Sequence, residues 1–253
     1  MTDRVLDRNA APPLPPRAWL RWDRVAVLLD ELRPRTVLEI GCGTGSFGAR
    51  MATRARYLGV EPDRAAYEVA RERIERAGGE VVHGTHEAVP EGSSWDLVCF
   101  FEVLEHMRDD ADMLASWAAL ARPGGHVLLS VPAFQRRFGP MDVHAGHYRR
   151  YDPSALHEAL IAAGLEEPRI QVYGWPLGYA LEAVRNRIDR RKLQDLGVTP
   201  TPEELTAASG RTFQPTRPAV GAAVATATLP FRLLQRLAPQ RGIGLLAVAR
   251  RSG

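Results

Sequence analysis

Residues Glu102 to His106 read Glu-Val-Leu-Glu-His, which brings two carboxylates and an imidazole within five positions. On a helical turn, positions i, i+3 and i+4 share a face. Three such groups repel one another or shift their proton affinities unless a proton or a cation joins them. Carboxylate oxygens and imidazole nitrogens suit Mg²⁺, Mn²⁺ or Fe²⁺ better than the sulfur-rich sites of structural zinc do. A metal held there would lower the pKa of a bound hydroxyl. Without one, an imidazole that titrates near working pH serves as general base. Both readings stay open, and both use His106. Further along, Asp142-Val-His-Ala-Gly-His-Tyr-Arg-Arg-Tyr151 offers two more histidines, His144 and His147. Asp142 is placed to support a histidine or to cap a turn. Arg149 and Arg150 read either as a guanidinium clamp for a carboxylate or phosphate, or as a solvated basic turn.

A second group of residues suggests a ligand. Val37 to Gly45 reads Val-Leu-Glu-Ile-Gly-Cys-Gly-Thr-Gly, and glycines after a buried strand let the backbone approach a nucleoside-like molecule. A dinucleotide site would continue as G-x-G-x-x-G, but the sixth position from Gly41 is Ser46. The loop therefore favours a ligand without a pyrophosphate and argues against a nicotinamide oxidoreductase. Glu61, 20 residues after Gly41, is spaced to accept hydrogen bonds from two ribose hydroxyls.

With Glu-Ile-Gly-Cys-Gly-Thr-Gly, Gly-Val-Glu-Pro-Asp at 59–63 and Trp-Asp-Leu-Val at 95–98, the chain resembles the class I S-adenosylmethionine-dependent methyltransferases over about residues 35 to 170. The resemblance implies S-adenosylmethionine as cofactor. Glu39, Gly41, Gly43, Gly45 and Glu61 would hold its methionine and ribose parts, and Pro62, Asp63, Thr85 and His86 its adenine. Phe101 and Glu102 would line the boundary between cofactor and acceptor, although Phe101 reads equally as core packing. The E-x-x-E-H element is similar to that of the ubiquinone-pathway O-methyltransferases and the plant small-RNA 2′-O-methyltransferases. There it binds a divalent cation together with a later histidine. This implies Glu102, Glu105, His106 and His147 as metal ligands, with His144 as the alternate, and His106 and His147 as the catalytic histidines.

These residues need elements to position them. Apolar residues at helical spacing predict a helix over Ala18–Leu32, stopped by Pro34. Strands and helices then alternate: strand Thr36–Ile40, helix Ser46–Thr53, strand Tyr57–Val60, helix Arg64–Ala77, strands Glu80–His83 and Trp95–Phe101, helix Asp109–Ala121, strand His126–Val131, helix Pro153–Ala163, and strands Arg169–Tyr173 and Leu245–Ala249. This order predicts an α/β fold with a doubly wound, mostly parallel, seven-stranded Rossmann-like sheet. Residues 1–34 form a Pro-rich lead and helix, 35–174 a cofactor-binding core, 175–240 a helical cap inserted before the last strand, and 241–253 that strand and the tail. The insertion is too long for an ordinary connection. It carries a basic amphipathic stretch, Leu177 to Leu193, a Pro-rich link around Pro200 and Pro215, and an uncharged run from Ala219 to Phe231.

Composition narrows the function. The 253 residues are 45% hydrophobic, enough for a sizeable core and too many for a disordered chain. The formal charge of +3 names no partner. Lys192, the only lysine, precedes Leu193, so no phosphate-binding P-loop exists. Cys42 and Cys99 lack metal-ligand spacing, and no apolar segment like that of a signal peptide is visible, so a reduced, cytoplasmic protein is expected. The uncharged run is too short to span a bilayer. With the basic stretch it reads as a buried cap helix or as a peripheral contact with an anionic membrane. The expected function is O-methylation of a small-molecule, glycan or lipid-linked acceptor. The alternatives are RNA 2′-O-methylation, for which no aromatic-basic RNA module is recognisable, and a non-catalytic interaction protein on the same fold. The oligomeric state is not legible.

Overall fold

The computed structural model describes residues 11–195 and 218–253. Residues 1–10 of the Pro-rich lead and the link around Pro200 and Pro215 lie outside the described residues. The order is α1 (Pro16–Leu32), β1 (Thr36–Ile40), α2 (Gly48–Ala52), β2 (Arg56–Glu61), α3 (Arg64–Arg76), β3 (Glu80–His83), β4 (Trp95–Phe101), α4 (Asp110–Ala118), β5 (Ala121–Pro132), α5 (Pro140–Ala145), α6 (Pro153–Ala162), β6 (Leu165–Gly174), α7 (Leu177–Asp195), α8 (Pro218–Leu234) and β7 (Gly242–Arg251).

All seven strands form one sheet in the order β3-β2-β1-β4-β5-β7-β6. β1 to β5 pair in parallel, and β7 runs antiparallel between β5 and β6. The strand order reverses between β1 and β4, so a crevice forms at their carboxyl ends, where such sheets bind ligands. Alternate residues along β4 face opposite cores. Leu97, Cys99 and Phe101 join the core beneath α1, α2 and α3, whereas Val98 and Phe100 join that beneath α4 and α6. Cys42 and Cys99 are buried free thiols.

Local chemistry explains the boundaries. Pro16 starts α1, where a missing N–H costs nothing. Arg33, at φ 44°, ends it with its N–H on the Leu29 carbonyl. Leu20, Val25, Leu28 and Leu29 bury the inner face. Asp23 is buried on the same helix and meets Arg232 and Arg236, which fastens α8 along α1. The helix expected to reach Ala121 stops at Ala118, because Ala121 already pairs with Trp95 in the sheet. α5 was not expected. Six residues are too few for periodicity to register, and only Pro140 and the left-handed Gly146 mark its ends.

Within 175–240, α7 inverts the expected polarity. Its buried side chains are acidic, Glu182 and Asp189, while Val184 and Ile188 are exposed. The acids lie seven positions apart on one face and meet Arg137, Arg150 and His144 from the body of the protein. No described helix is long and apolar enough to cross a membrane.

Candidate functional site

The glycine loop leaves β1 in three left-handed steps, with φ of 68° at Gly41, 55° at Gly43 and 75° at Gly45, a backbone that favours glycine. Two of these glycines face different surroundings. A Cβ on Gly45 would lie 2.9 Å from the Ala70 Cα, so this glycine lets α3 press against the loop. A Cβ on Gly43 would meet nothing within 4 Å. Gly43 thus borders open space at the switch point, as a cradle for a bound molecule requires.

Glu61 closes the cradle from β2. One carboxylate oxygen accepts the Gly43 N–H at 2.7 Å and the other the Asp63 N–H at 2.9 Å. Burial raises its pKa, and these two backbone donors oppose the rise. Each oxygen keeps lone-pair capacity for a ribose hydroxyl. Glu39 lies deeper and accepts the Tyr57 hydroxyl at 2.5 Å. Burial pushes its pKa up to about 8, against that hydrogen bond and the Arg21 charge. Pro62 presents its carbonyl to His83 at 3.1 Å. The Thr85 hydroxyl accepts the Glu87 N–H, and His86 stands edge-on to Trp117 at 6.2 Å. Phe101 packs edge-to-face on Phe47, with ring centroids 5.2 Å apart.

The chemistry-bearing residues follow β4. Glu102 takes a left-handed φ of 58°, held by its N–H on the Ser130 carbonyl at 2.8 Å, and Leu104–His106 then form a single 3-10 turn. Glu102, Glu105 and His106 therefore do not share one helical face. Glu105, His106 and His147 converge, with one donor atom from each within 4.8 Å of the others. Glu102 turns to other partners. Its carboxylate accepts Ser130 at 2.9 Å and Tyr173 at 3.3 Å, and Arg21 stands 3.5 Å away. Burial alone would raise its pKa, but Arg21 and Arg17 hold it below the ordinary carboxylate value.

Glu105 is fully buried, and among the described residues neither carboxylate oxygen has a hydrogen-bond partner. Burial and the neighbouring Glu102 hold its pKa well above normal. His106 and His147 stack edge-to-face with centroids 4.7 Å apart. Burial, with the neighbouring His147 imidazole, lowers the His106 pKa to about 4, which keeps it a neutral donor. His147 Nδ1 lies 2.9 Å from Asp142, which leaves Nε2 toward Glu105 at 3.9 Å. A carboxylate holding the far nitrogen of an imidazole fixes its tautomer and aims its lone pair.

Asp142 both supports this histidine and caps α5, accepting the Gly139 N–H at 2.8 Å. Against the cost of burial, His147 and Arg150 keep its pKa low. His144 belongs elsewhere, 3.9 Å from Asp189 of α7. The clamp expected of Arg149 and Arg150 is not available to a ligand. Arg150 is buried between Asp142 and Glu182, and Arg149 pairs with Asp110. In their place, α1 contributes Arg17 and Arg21 beside Glu102. Sequence reasoning did not find them, because arginines on an amphipathic helix look like its solvated face.

The glycine loop abuts this cluster, since a Cβ on Gly41 would lie 2.8 Å from Val103. The cradle and the Glu105–His106–His147 cluster therefore lie side by side at the ends of β1 and β4. A separate cleft of about 490 Å³ opens at the other end of β1, lined by Leu29, Arg33, Val37 and Met51 among others, and holds no such cluster.

A methyltransferase-domain family profile matches residues 15–167, more than half of the chain. The chain belongs to the S-adenosylmethionine-dependent methyltransferase family. It is 37% identical over 116 residues to the ubiquinone biosynthesis O-methyltransferase of Alkalilimnicola ehrlichii, covering 44% of this chain and 47% of that protein. The same-named protein of Vibrio vulnificus is 34% identical over 116 residues, covering 44% and 49% respectively. The chain thus spans about half the length of these curated relatives. Among solved structures, phosphoethanolamine N-methyltransferase 2 of Haemonchus contortus, in complex with S-adenosyl-L-methionine, superposes with a TM-score of 0.56 at 18% identity, over 92% of this chain and 53% of that one. That likeness shows the shared fold.

Proposed function

We propose that this methyltransferase transfers a methyl group to a hydroxyl oxygen of a small-molecule, glycan or lipid-linked acceptor, and that Glu105, His106 and His147 bind Mg²⁺ or another divalent cation. The observation that carries the reading is the convergence of these three side chains around an unpartnered buried carboxylate, next to the glycine loop. The donor set of one carboxylate and two imidazoles, with Asp142 behind His147, fits a divalent cation. The curated relatives named as O-methyltransferases support the choice of oxygen.

S-adenosylmethionine, when bound, supplies an electrophilic methyl on sulfur. A divalent cation, when bound, lowers the pKa of a hydroxyl. The chain's own residues do the rest. Gly43 leaves room for the cofactor, Glu61 is placed to bind its ribose, and the Glu102–Arg21 pair forms the boundary facing the acceptor. An acceptor hydroxyl would have to give up its proton as the methyl passes from sulfur to its oxygen, with S-adenosylhomocysteine as the leaving group. His147, polarised by Asp142, takes that proton at Nε2 in a second reading that needs no metal. The exposed side of α8 and of the turn after it, with Leu229, Leu233 and Leu237, supports a lipid-linked acceptor or peripheral membrane contact.

Calorimetric titration of S-adenosylhomocysteine into chelator-treated protein, followed by Mg²⁺ or Mn²⁺, tests the proposal. The expected result is cofactor binding that Glu61→Ala abolishes and a separate cation heat that Glu105→Ala abolishes. Cofactor binding without any cation heat would leave the His147–Asp142 base. No cofactor binding would favour the non-catalytic alternative.

A further inference from the structure

Arg17 and Arg21 sit one turn apart on α1, and both turn inward, Arg21 toward the carboxyl end of β5 at Ser130 and Arg17 toward Met141 of α5. Arg21 donates to Ser130 at 3.2 Å and stands against Glu102, so one edge of its guanidinium is spoken for. Its buried Nε has no partner among the described residues. Arg17 is more exceptional. Its single hydrogen bond among the described residues goes to the thioether sulfur of Met141, at 2.9 Å. A guanidinium carries five N–H donors, and a thioether is a weak acceptor. Burial lowers the Arg17 pKa, against the attraction of Glu102 and Glu182, so those acids do not make good its lost hydration.

Charge balance in the surrounding shell points the same way. The buried acids are already matched, Glu102 by Arg21, Asp142 by Arg150, and Glu182 by Arg150 and Arg137. Arg17 is the guanidinium left over. Arg17 is half-buried, and its remaining N–H groups are not sealed off by protein, so they are open to a ligand; guanidinium matches carboxylate and phosphate oxygens in a two-pronged geometry. It feels the Glu102 charge, and so lies near the place where an acceptor must lie if methyl transfer occurs at this cluster.

We propose that Arg17, with the unpartnered edge of Arg21, binds an anionic group of the acceptor, a carboxylate or a phosphate, and so selects acidic acceptors. The inference rests on the methyl-transfer reading for what the anion is attached to, but not for the anion site itself. The partner Arg17 has among the described residues is the Met141 sulfur of α5, so the anion would displace a weak sulfur contact rather than a salt bridge. That makes the site ready to exchange ligands.

The test is calorimetric titration with benzoate, phenyl phosphate and uncharged benzyl alcohol, with and without saturating S-adenosylhomocysteine. At least one anion should bind about tenfold or more tightly than benzyl alcohol, and the stronger of the two tells carboxylate from phosphate. Arg17→Gln and Arg17→Met should erase that preference while S-adenosylhomocysteine still binds. Raising NaCl from about 50 to about 500 mM should weaken the anion in the wild type and spare benzyl alcohol, a readout that needs no variant to fold. Anions that bind no better than benzyl alcohol, or a preference that survives both substitutions, would overturn the proposal. Anion preference without S-adenosylhomocysteine binding would sustain Arg17 as an anion site and overturn the methyl-transfer reading. The converse result would overturn the anion site alone.

Discussion

Replacing Gly43 and Gly45 one at a time by alanine should separate folding from cofactor binding. Both have positive φ, 55° and 75°, so either substitution forces an L side chain into a left-handed conformation at a cost of roughly 1–2 kcal/mol. At Gly45 a steric term adds to this. The new methyl would sit 2.9 Å from the Ala70 Cα, 3.0 Å from Ile74 Cδ1 and 3.1 Å from the Ala70 Cβ. Backbone cannot step aside as a flexible side chain can, and overpacking of this kind costs about 1–3 kcal/mol more. Gly45→Ala should therefore lose about 2–5 kcal/mol in urea or guanidinium unfolding. At Gly43 the methyl meets nothing within 4 Å, so Gly43→Ala should lose only the backbone share. The same methyl occupies the proposed cofactor cradle, and S-adenosylhomocysteine affinity should fall about tenfold or more, as 1.4 kcal/mol of lost contact does. Equal destabilisation by the two substitutions, or a Gly43→Ala protein that binds S-adenosylhomocysteine like the wild type, would refute this placement.

Three further results are expected. Glu39 has a folded pKa of about 8 against an ordinary 4.5, so its native state holds the proton more tightly; stability is fully present below about pH 4.5 and is lost as pH rises toward about 8. Glu39→Gln should flatten the stability–pH curve in that window by up to about 1.4 kcal/mol per pH unit, and curves that stay parallel to the wild type would count against it. Arg150→Met strands Asp142 and weakens the hold on Glu182, so denaturation should show a loss of about 3–5 kcal/mol, whereas a loss below 1 kcal/mol would show that the acids find other partners. Asp142→Asn keeps the shape of the His147 contact but removes its charge, and cation affinity measured by titration should drop about 10–100-fold.

Much of this molecule can be read from the chain. β3 and β4 lie where periodicity and flanking residues put them, and the glycine loop and Glu61 occupy neighbouring strand ends because a parallel sheet brings successive carboxyl ends together. Not every feature was legible. The spacing of Glu102, Glu105 and His106 presumes a regular helix, but a left-handed residue and a 3-10 turn intervene, so Glu102 leaves the cluster for Arg21. Arg17 and Arg21 are another case. In a chain whose basic residues are almost all arginine, residue type cannot mark the pair that turns inward, and only the packing of α1 on β6 and β7, with Arg21 reaching Ser130 and Arg17 reaching Met141, reveals it. The acidic inner face of α7 was hidden for a related reason. Periodicity scores apolar stripes, and a face that buries ion pairs has none.

The sheet register bears on how acceptor preference can change. Gly174, where the chain leaves β6, pairs with Gly242, where it rejoins the sheet as β7. The excursion of α7, the undescribed segment and α8 thus begins and ends at one point on the rim, like a handle fixed by both ends to the same spot on a cup. Lengthening or shortening it changes the cost of closing that loop by only about 0.6 kcal/mol per doubling, and it does not alter the pairing of any strand that carries the glycine loop, Glu61 or Glu105. The segment between α7 and α8 can therefore change length without disturbing the cofactor loop, whereas α7 itself is tied to the site through Glu182, which meets Arg150 and Arg137.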